Sequence, residues 1–270
     1  MRAMRYPIRS LLTVTGLLLV ASACVGTLHE ASARQAAVPS TKSSSVDRNF
    51  SMTGRRRILT GHSVDGRRLV AERVGNASSA RRILVVGCIH GNECAGVPVA
   101  RDLISDRPMR AARLVVVPDL NPDGRAMGTR QNARGVDLNR NFPWRWQPIG
   151  APGSLFYSGP HALSEPESRF ARHLVRRIRP SISIWFHQHM DLVDRSGGNV
   201  AIERRYARIV GLPLRRLPRY PGSATGWENH RLSHSTAFVV ELPSGHLSPK
   251  GVERFSDGIR TLARSGIARA

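Results

Sequence analysis

The segment GCIHGNECAG contains four side chains that can take part in chemistry: Cys88, His90, Glu93 and Cys94. An imidazole and a carboxylate at this spacing can bind one cation if the chain turns tightly, and Gly91 permits such a turn. The cysteines could instead form a disulfide, or one of them could be a nucleophile. His-x-x-Glu is also typical of a hydrogen-bonded histidine beside an acid in the first turn of a helix. All of these interpretations stay open on this segment alone.

A second histidine and a second carboxylate follow apolar segments much later in the chain. His187 comes directly after SISIWF, and Glu241 lies within TAFVVELP. Two histidines and one carboxylate, with water in the fourth position, form a ligand set of catalytic zinc sites. A carboxylate buried among valines is costly unless it has a partner or a role, so Glu241 is a candidate catalytic acid or base. The structural alternatives are a hydrogen-bonded His187 at a sheet edge and a salt bridge between Glu241 and an arginine.

The segment TRQNARGVDLNRNFP is too polar for a core strand and contains Arg130, Asn139 and Arg140. Arginine binds carboxylates through two parallel hydrogen bonds, so this segment suits the free carboxyl end of a substrate. Each arginine alone could equally be a surface residue, because the whole chain is basic.

The length of the chain suits one sizeable α/β domain or two small ones, and the composition indicates a strongly basic surface. Hydrophobic residues make up 41% of the 270 residues, and the formal net charge is +22, with arginine at all but two of the basic positions. Such a charge attracts polyanions such as nucleic acid, anionic lipid or cell-wall polymers, or it is simply a solvated surface. Because aromatic and basic residues do not interleave, we expect no specific nucleic-acid partner. GxSxG, GxxxxGK[ST] and GxGxxG are absent, which argues against common serine hydrolases and nucleotide enzymes.

The amino-terminal region is typical of an exported protein. Residues 1–23 combine early arginines, a short apolar segment and the small residues Ala21 to Ala23, which predicts a signal peptide. Cleavage there would leave Cys24 first, where it could carry lipid, and a later cut after Ala33 is the alternative. Residues 24–54 are expected to be a flexible linker and residues 55–270 the functional domain. We therefore expect a periplasmic, extracellular or lipid-anchored protein, in which Cys88 and Cys94 form an even pair.

Apolar periodicity predicts alternating strands and helices from Arg68 onward, and so an α/β domain around a mostly buried sheet. Ser164 and Glu167 have the spacing of a capping box. The predicted strands are RRLVAERV, RILVVGC, RLVVVPDL, SISIWF, NVAI and TAFVVEL, and the predicted helices are CAGVPVARDLI, SEPESRFARHLVRRI, IERRYARIV and GVERFSDGIRTLAR.

Five short motifs in order resemble the zinc metallocarboxypeptidases of the M14 type. They are HGNE, NPDG, GVDLNRNFP, the histidine at position 187 and FVVELP, and the resemblance covers about residues 70 to 245. GCIHGNECAG, RQNARGVDLNRNFP and YPGSATGW are most similar to the bacterial branch that acts on murein peptides, the murein peptide amidase A type. The resemblance implies a single domain with a central mixed, largely parallel sheet flanked by helices.

The resemblance also implies a zinc site with a catalytic carboxylate. His90, Glu93 and His187 match the zinc ligands, with one Zn²⁺ per chain. Glu241 matches the glutamate that activates the zinc-bound water and passes its proton to the leaving amine. Asp137 matches an acid that orients a zinc-bound imidazole. Cys88 and Cys94 then have no catalytic role, and we expect them to form a disulfide that stabilises the turn.

Substrate-binding residues follow from the same resemblance. Arg130 matches the arginine that polarises the scissile carbonyl and stabilises the oxyanion, and Asn139 and Arg140 match the pair that binds the terminal carboxylate. Tyr220 and Trp227 resemble the family's mobile tyrosine and the tryptophan after it, although this alignment crosses a gap.

We therefore expect a secreted zinc carboxypeptidase or amidase that hydrolyses short peptides near a free carboxyl end. Murein stem peptides, cleaved at the γ-D-glutamyl-diaminopimelate bond, are the expected substrate. The export signal favours wall turnover over cytoplasmic recycling, and the short chain implies trimmed specificity loops. The alternatives are a general metallocarboxypeptidase for ordinary L-peptides and a non-catalytic protein bound to anionic cell-wall polymers or a lipid surface.

Overall fold

The structure is a computed structural model that describes residues 54–105 and 109–265, all of which belong to the compact unit Asp47–Ala270. The predicted signal peptide, Cys24 and all but the last residue of the predicted linker lie outside the described residues, so export, lipidation and the domain boundaries stay predictions. No helix within the described ranges is long and apolar enough to cross a membrane.

One mixed sheet forms the centre of the described domain, with the strand order β1-β2-β4-β3-β5-β8-β6-β7. β3, β4, β5 and β8 run parallel, whereas β2 pairs antiparallel with β4 and β6 pairs antiparallel with β8. The strands are β1 Arg56–His62, β2 Arg68–Gly75, β3 Arg82–Val86, β4 Arg113–Val117, β5 Ile182–Gln188, β6 Leu192–Asp194, β7 Leu214–Arg215 and β8 Thr236–Leu242.

Helices cover both faces of this sheet. They are α1 Gly96–Leu103, α2 Pro122–Met127, α3 Pro166–Ile178, α4 Val200–Val210, α5 Ala224–Arg231 and α6 Pro249–Arg264, with a 3₁₀ turn at Leu138–Arg140. One apolar cluster joins the sheet to α1, α4 and α6, and a second joins it to α3 and α5. Because both faces are covered, β3, β4, β5 and β8 consist almost entirely of buried residues.

Strand alternation places His187 of β5 and Glu241 of β8 on one face of the sheet. Ile184 and Phe186 pack in the cluster with α1, α4 and α6, whereas Trp185 packs in the cluster with α3 and α5. His187 has the parity of Trp185, and it is the register partner of Glu241 on β8. Since paired residues of parallel strands lie on the same face, the fold places His187 and Glu241 side by side at the carboxyl ends of two strands.

The predicted fold class is confirmed, and most predicted elements form where the periodicity places them. The predicted strand NVAI is wrong, because Asn199 accepts a hydrogen bond from the Ala201 N–H and starts α4 at Val200. The predicted capping box is also wrong: α3 begins at Pro166 with Glu165 as its N-cap residue, and the carboxylate of Glu167 accepts from Val64 and Asn132 instead. The Ser164 hydroxyl donates to Glu165.

Glu228 of α5 is a fully buried acid that faces β5. Ser183 and Ser235 donate to its Oε1, and the Trp185 indole donates to Oε2 at 3.3 Å. Burial raises the pKa of Glu228 from 4.5 to about 7, although these hydrogen bonds favour the charged form. The group ties α5 to the strand that carries His187.

Glu228→Gln is expected to remove a pH dependence of stability. Because folding raises the pKa of this acid, the folded state binds more protons than the unfolded state as the pH rises from 4.5 to about 7. Across that window the free energy of unfolding of the wild type should fall by up to about 3 kcal/mol relative to that of the variant. Urea denaturation at a series of pH values measures the difference. Glu253→Gln, at an exposed position of α6, controls for the lost charge, and a pH-independent difference for Glu228→Gln would contradict the assignment.

Candidate active site

The turn after β3 is packed so tightly that only glycine fits at its centre. A Cβ atom at Gly91 would lie 1.9 Å from the carbonyl carbon of Gly124, and the Gly91 N–H donates to the Arg130 carbonyl. The Asn121 side chain donates to the Ile89 carbonyl. These contacts fix the backbone that carries His90 and Glu93.

His90, Glu93 and His187 form one cluster. Oε2 of Glu93 lies 2.9 Å from Nδ1 of His90 and 3.1 Å from Nδ1 of His187. The imidazole rings approach edge to face with their centroids 4.7 Å apart. Both histidines are buried, and the side chain of Glu93 is 12% exposed, so the cluster opens to solvent on the side of the carboxylate.

Asp137 orients the first histidine. Its Oδ1 lies 2.9 Å from Nε2 of His90. The same oxygen accepts from the Asn139 N–H, so Asp137 is also the N-cap residue of the 3₁₀ turn. The carboxylate is fully buried. In the neutral imidazole, a proton on Nε2 donates to Asp137 and leaves the lone pair of Nδ1 on the side of Glu93.

Mutual electrostatics keep the acids of this cluster ionised. Burial alone would raise the pKa of Glu93, but His90 and the hydrogen bond from His187 hold it far below its ordinary value. Burial opposes ionisation of Asp137 in the same way, yet His90 and Arg130 hold its pKa below the ordinary range. Burial lowers the pKa of His187, which favours the neutral imidazole that a metal requires.

The three side chains fit a zinc ion by their chemistry and spacing. One nitrogen from each histidine and one carboxylate oxygen lie within 4.8 Å of one another. Tetrahedral zinc with bonds of about 2.0–2.1 Å separates its ligand atoms by roughly 3.3 Å, which is close to the observed contacts. Two nitrogens and one oxygen are also the donor set of a catalytic site that keeps one position open.

Glu241 is buried beside this cluster, and one oxygen of its carboxylate, Oε2, has no hydrogen-bond partner among the described residues. The residue is only 8% exposed, so solvent does not readily reach this unpaired oxygen. Burial, with a further contribution from Glu93, raises the pKa of Glu241 to about 7. The alternative of a structural salt bridge is wrong for the described part of the chain, where no arginine pairs with this carboxylate.

Arg130 connects the two acids of the cluster. Its NH1 group donates to Oε1 of Glu93 at 2.5 Å, and its Nε donates to Oδ2 of Asp137 at 3.0 Å. The structure therefore brings this arginine to the edge of the candidate metal site.

Arg140 is a buried arginine without a carboxylate partner among the described residues. Its NH1 group donates to the Asn139 carbonyl at 2.9 Å, and burial lowers the pKa of its guanidinium. The guanidinium carbon lies 4.1 Å from the ring centroid of Tyr220 and 5.5 Å from that of Phe156. The Asn139 side-chain carbonyl accepts from the Ala224 N–H and ties this loop to α5.

Gly222 fixes the loop that carries Tyr220. It has a φ of +69°, and a Cβ atom there would lie 2.1 Å from the Arg140 carbonyl oxygen. The Phe142 N–H donates to the Gly222 carbonyl. Tyr220 itself is 51% exposed, so its ring is accessible while its loop is anchored. Trp227, by contrast, is buried in the core with α3 and α5, which makes it a packing residue.

The cysteines on either side of the turn form a disulfide in the structure, with their Cα atoms 4.8 Å apart. Together with the packing at Gly91, this bond closes the segment that carries His90 and Glu93.

Sequence reasoning missed two residues near the cluster. The Gln188 side chain accepts from the Ala95 N–H and donates to the Pro243 and Gly245 carbonyls, so it joins the start of α1 to the end of β8. Phe156 is 45% exposed and lies 5.4 Å from the guanidinium carbon of Arg130. The predicted strand stopped before Gln188, and Phe156 lies in a loop without periodicity, so neither carried a signal.

A family model described as zinc carboxypeptidase matches residues 55–201. Murein peptide amidase A from Escherichia coli K12 is 30% identical over 164 residues, which cover 56% of this chain and 67% of that protein. The corresponding protein of Vibrio campbellii is 28% identical over 196 residues, 68% of this chain and 77% of its own length.

Solved structures share the fold. The murein-tripeptide amidase of Escherichia coli O157 aligns with a TM-score of 0.64 at 25% identity, over 78% of this chain and 92% of its own. Carboxypeptidase A from Helicoverpa armigera aligns with a TM-score of 0.68 at 18% identity, over 81% of this chain and 70% of its own. Because the identity is so low, this similarity supports the fold alone. Tyr220 and Glu241 lie beyond the residues that the family model matches, so their interpretation depends on the geometry.

Asp137→Asn is expected to weaken zinc binding by about 10- to 100-fold, because an amide makes the His90 imidazole a weaker donor. The carbonyl of Asn can still accept from the Asn139 N–H, so the 3₁₀ turn should persist. Competition with a chromogenic chelator measures the zinc dissociation constant, and Glu253→Gln is the control. An unchanged constant would show that Asp137 does not support the metal ligand.

Proposed function

The chain belongs to the zinc carboxypeptidase family, and from this membership we propose that it is an exported zinc peptidase that cleaves murein stem peptides near a free carboxyl end. Family membership and the murein peptide amidase relatives already indicate a peptide hydrolase. The observation that carries the proposal of zinc-dependent hydrolysis is the unpartnered, buried Oε2 of Glu241 beside the cluster of His90, Glu93 and His187.

His90, Glu93 and His187 are the residues that would hold zinc. Zinc bound there would supply Lewis-acid chemistry, polarising the scissile carbonyl and activating a water molecule for attack. Asp137 keeps the proton on Nε2 of His90, so that Nδ1 stays available to the ion.

Glu241 would move the proton. In this proposal its Oε2 accepts a proton from the attacking water and then donates it to the leaving amine. The absence of any described partner for this oxygen supports the role, because a carboxylate committed to a salt bridge would be a weaker base. Arg130, held at the site by Glu93 and Asp137, would direct its remaining N–H groups at the carbonyl oxygen as negative charge develops there.

Arg140 and Asn139 would bind the terminal carboxylate of the substrate. The side-chain carbonyl of Asn139 already accepts from the Ala224 N–H, which leaves the side-chain amide hydrogens as donors. Arg140 has no acid partner among the described residues, so a substrate carboxylate would supply the missing counter-charge. Tyr220, whose ring lies against this guanidinium, would cover the bound end.

Murein peptides are the proposed substrate class because proteins named for murein peptides are among the relatives and the solved structures. The γ-D-glutamyl-diaminopimelate bond is the proposed cleavage site, and the predicted signal peptide supports action outside the cytoplasm. A diaminopimelate-containing tripeptide compared with simple L-dipeptides tests this choice. Cleavage of the tripeptide at the γ-D-glutamyl bond supports it, and exclusive cleavage of L-dipeptides would identify a general carboxypeptidase.

Glu241→Gln should lower kcat by about 10²- to 10⁴-fold, the range of general acid–base catalysis, while zinc stays bound. Steady-state kinetics and elemental analysis of the same preparation separate the two effects. Turnover near the wild-type rate would rule out the acid–base role, and loss of zinc would make Glu241 a metal ligand instead.

Replacing the substrate's terminal carboxylate by an amide should lower kcat/KM by about 10- to 100-fold, because Arg140 loses a charge-assisted hydrogen bond. The same comparison with Arg140→Gln should show a much smaller difference between acid and amide substrates. Arg134→Gln, at an exposed arginine of the same loop, is the matched control. An equal preference for the acid in wild type and Arg140→Gln would place carboxylate binding elsewhere.

A further inference from the structure

A cavity lies at the amino ends of the central parallel strands, whereas the candidate active site lies at their carboxyl ends. Its volume is about 1060 Å³, and it is lined by the first residues of three parallel strands, Arg82 of β3, Ile182 of β5 and Thr236 of β8. His187 and Glu241 belong to the carboxyl ends of β5 and β8. A ligand in this cavity, the basal cavity, would therefore not touch the proposed catalytic residues.

The basal cavity gathers positive charge from separate parts of the fold. Four arginines line it, Arg81, Arg82, Arg179 and Arg231, together with His234. No aspartate or glutamate is among its lining residues within the described part of the chain. None of these arginines forms a salt bridge with a carboxylate among residues 54–105 and 109–265. Their charge is thus neutralised by no described side chain.

Backbone contacts position two of these guanidinium groups without neutralising them. Arg81 donates to the Ala263 carbonyl, and Nε of Arg82 donates to the Arg179 carbonyl at 2.9 Å. Arg179 ends α3 and Arg231 is the last residue of α5, and both are exposed. Two held and two exposed arginines therefore face one space, which suits a ligand that enters from solvent.

The backbone near the basal cavity does not provide a rival anion site. At the start of α4, the Ala201 N–H donates to the Asn199 side chain and the Ser196 N–H donates to Glu203. Glu203 is 1% exposed, so its carboxylate is covered. Because these donors are already satisfied, the start of α4 does not offer them to an anion, and the arginines supply the positive charge of the cavity.

We propose that the basal cavity binds a phosphate-bearing ligand at a site separate from catalysis. Each phosphate offers several acceptor oxygens that match the planar fork of arginine, and repeated arginines favour more than one negative charge. The cavity is as large as known ligand pockets, which reach about 1,000 Å³. Free phosphate and the phosphodiester of a wall polymer share this chemistry.

The test is calorimetric titration of the zinc-loaded full chain with inorganic phosphate and with poly(glycerol phosphate) in 150 mM salt. We expect saturable binding that Arg179→Gln/Arg231→Gln weakens at least about tenfold, while peptide hydrolysis is unchanged. Arg176→Gln/Arg204→Gln removes the same charge from exposed helical positions outside the cavity and should change binding less than about twofold. Equal binding per phosphate would indicate free phosphate as the ligand, and much tighter polymer binding would indicate the polymer.

Three results would overturn the proposal. Equal weakening by both double variants would mean that diffuse surface charge attracts the polymer. Loss of binding in Arg140→Gln would place the phosphate in the candidate active site. Absence of binding by both probes would leave the basal cavity without this function.

Discussion

Oε2 of Glu93 lies 2.9 Å from Nδ1 of His90 and 3.1 Å from Nδ1 of His187, so one carboxylate joins an imidazole from the turn after β3 to an imidazole at the end of the neighbouring strand β5. A carboxylate or a charged imidazole is costly to bury without a partner, because it loses its contact with water. The hydrogen bonds between Glu93 and the two histidines offset this desolvation cost. The constraint extends into the backbone. Gly91 must allow close packing against Gly124, and parallel pairing of β3 with β5 must bring the strand ends together.

The same contact organises the groups around it. Asp137 fixes the orientation of His90, and Arg130 links Asp137 to Glu93, so that three charged residues hold one another in place. Glu241 and Arg140 differ from them, because neither has an opposite charge as partner in the described residues. The site thus contains a network of mutually paired residues that would bind a metal. It also contains two residues without an opposite charge as partner, which would bind the substrate.

Sequence patterns predicted the central sheet well because β3, β4, β5 and β8 are buried on both faces and therefore read as continuous apolar segments. Short elements carried no such signal: β6 and β7 are defined by pairing with neighbours, and α2 and α5 by caps and packing. NVAI was mistaken for a strand because its three consecutive apolar residues lie in the first turn of α4, where only Ile202 is buried. The metal cluster could be proposed from motifs, but the shared carboxylate oxygen and the position of Phe156 depend on tertiary contacts.

The central claim is that His90, Glu93 and His187 together bind one zinc ion. Mass spectrometric metal analysis of the purified chain, beside the His187→Ala variant, tests it most directly. The wild type should contain one zinc ion per chain, and the variant should lose it. A wild type that binds no zinc, or a variant that retains it fully, would show that these three residues do not form a zinc site.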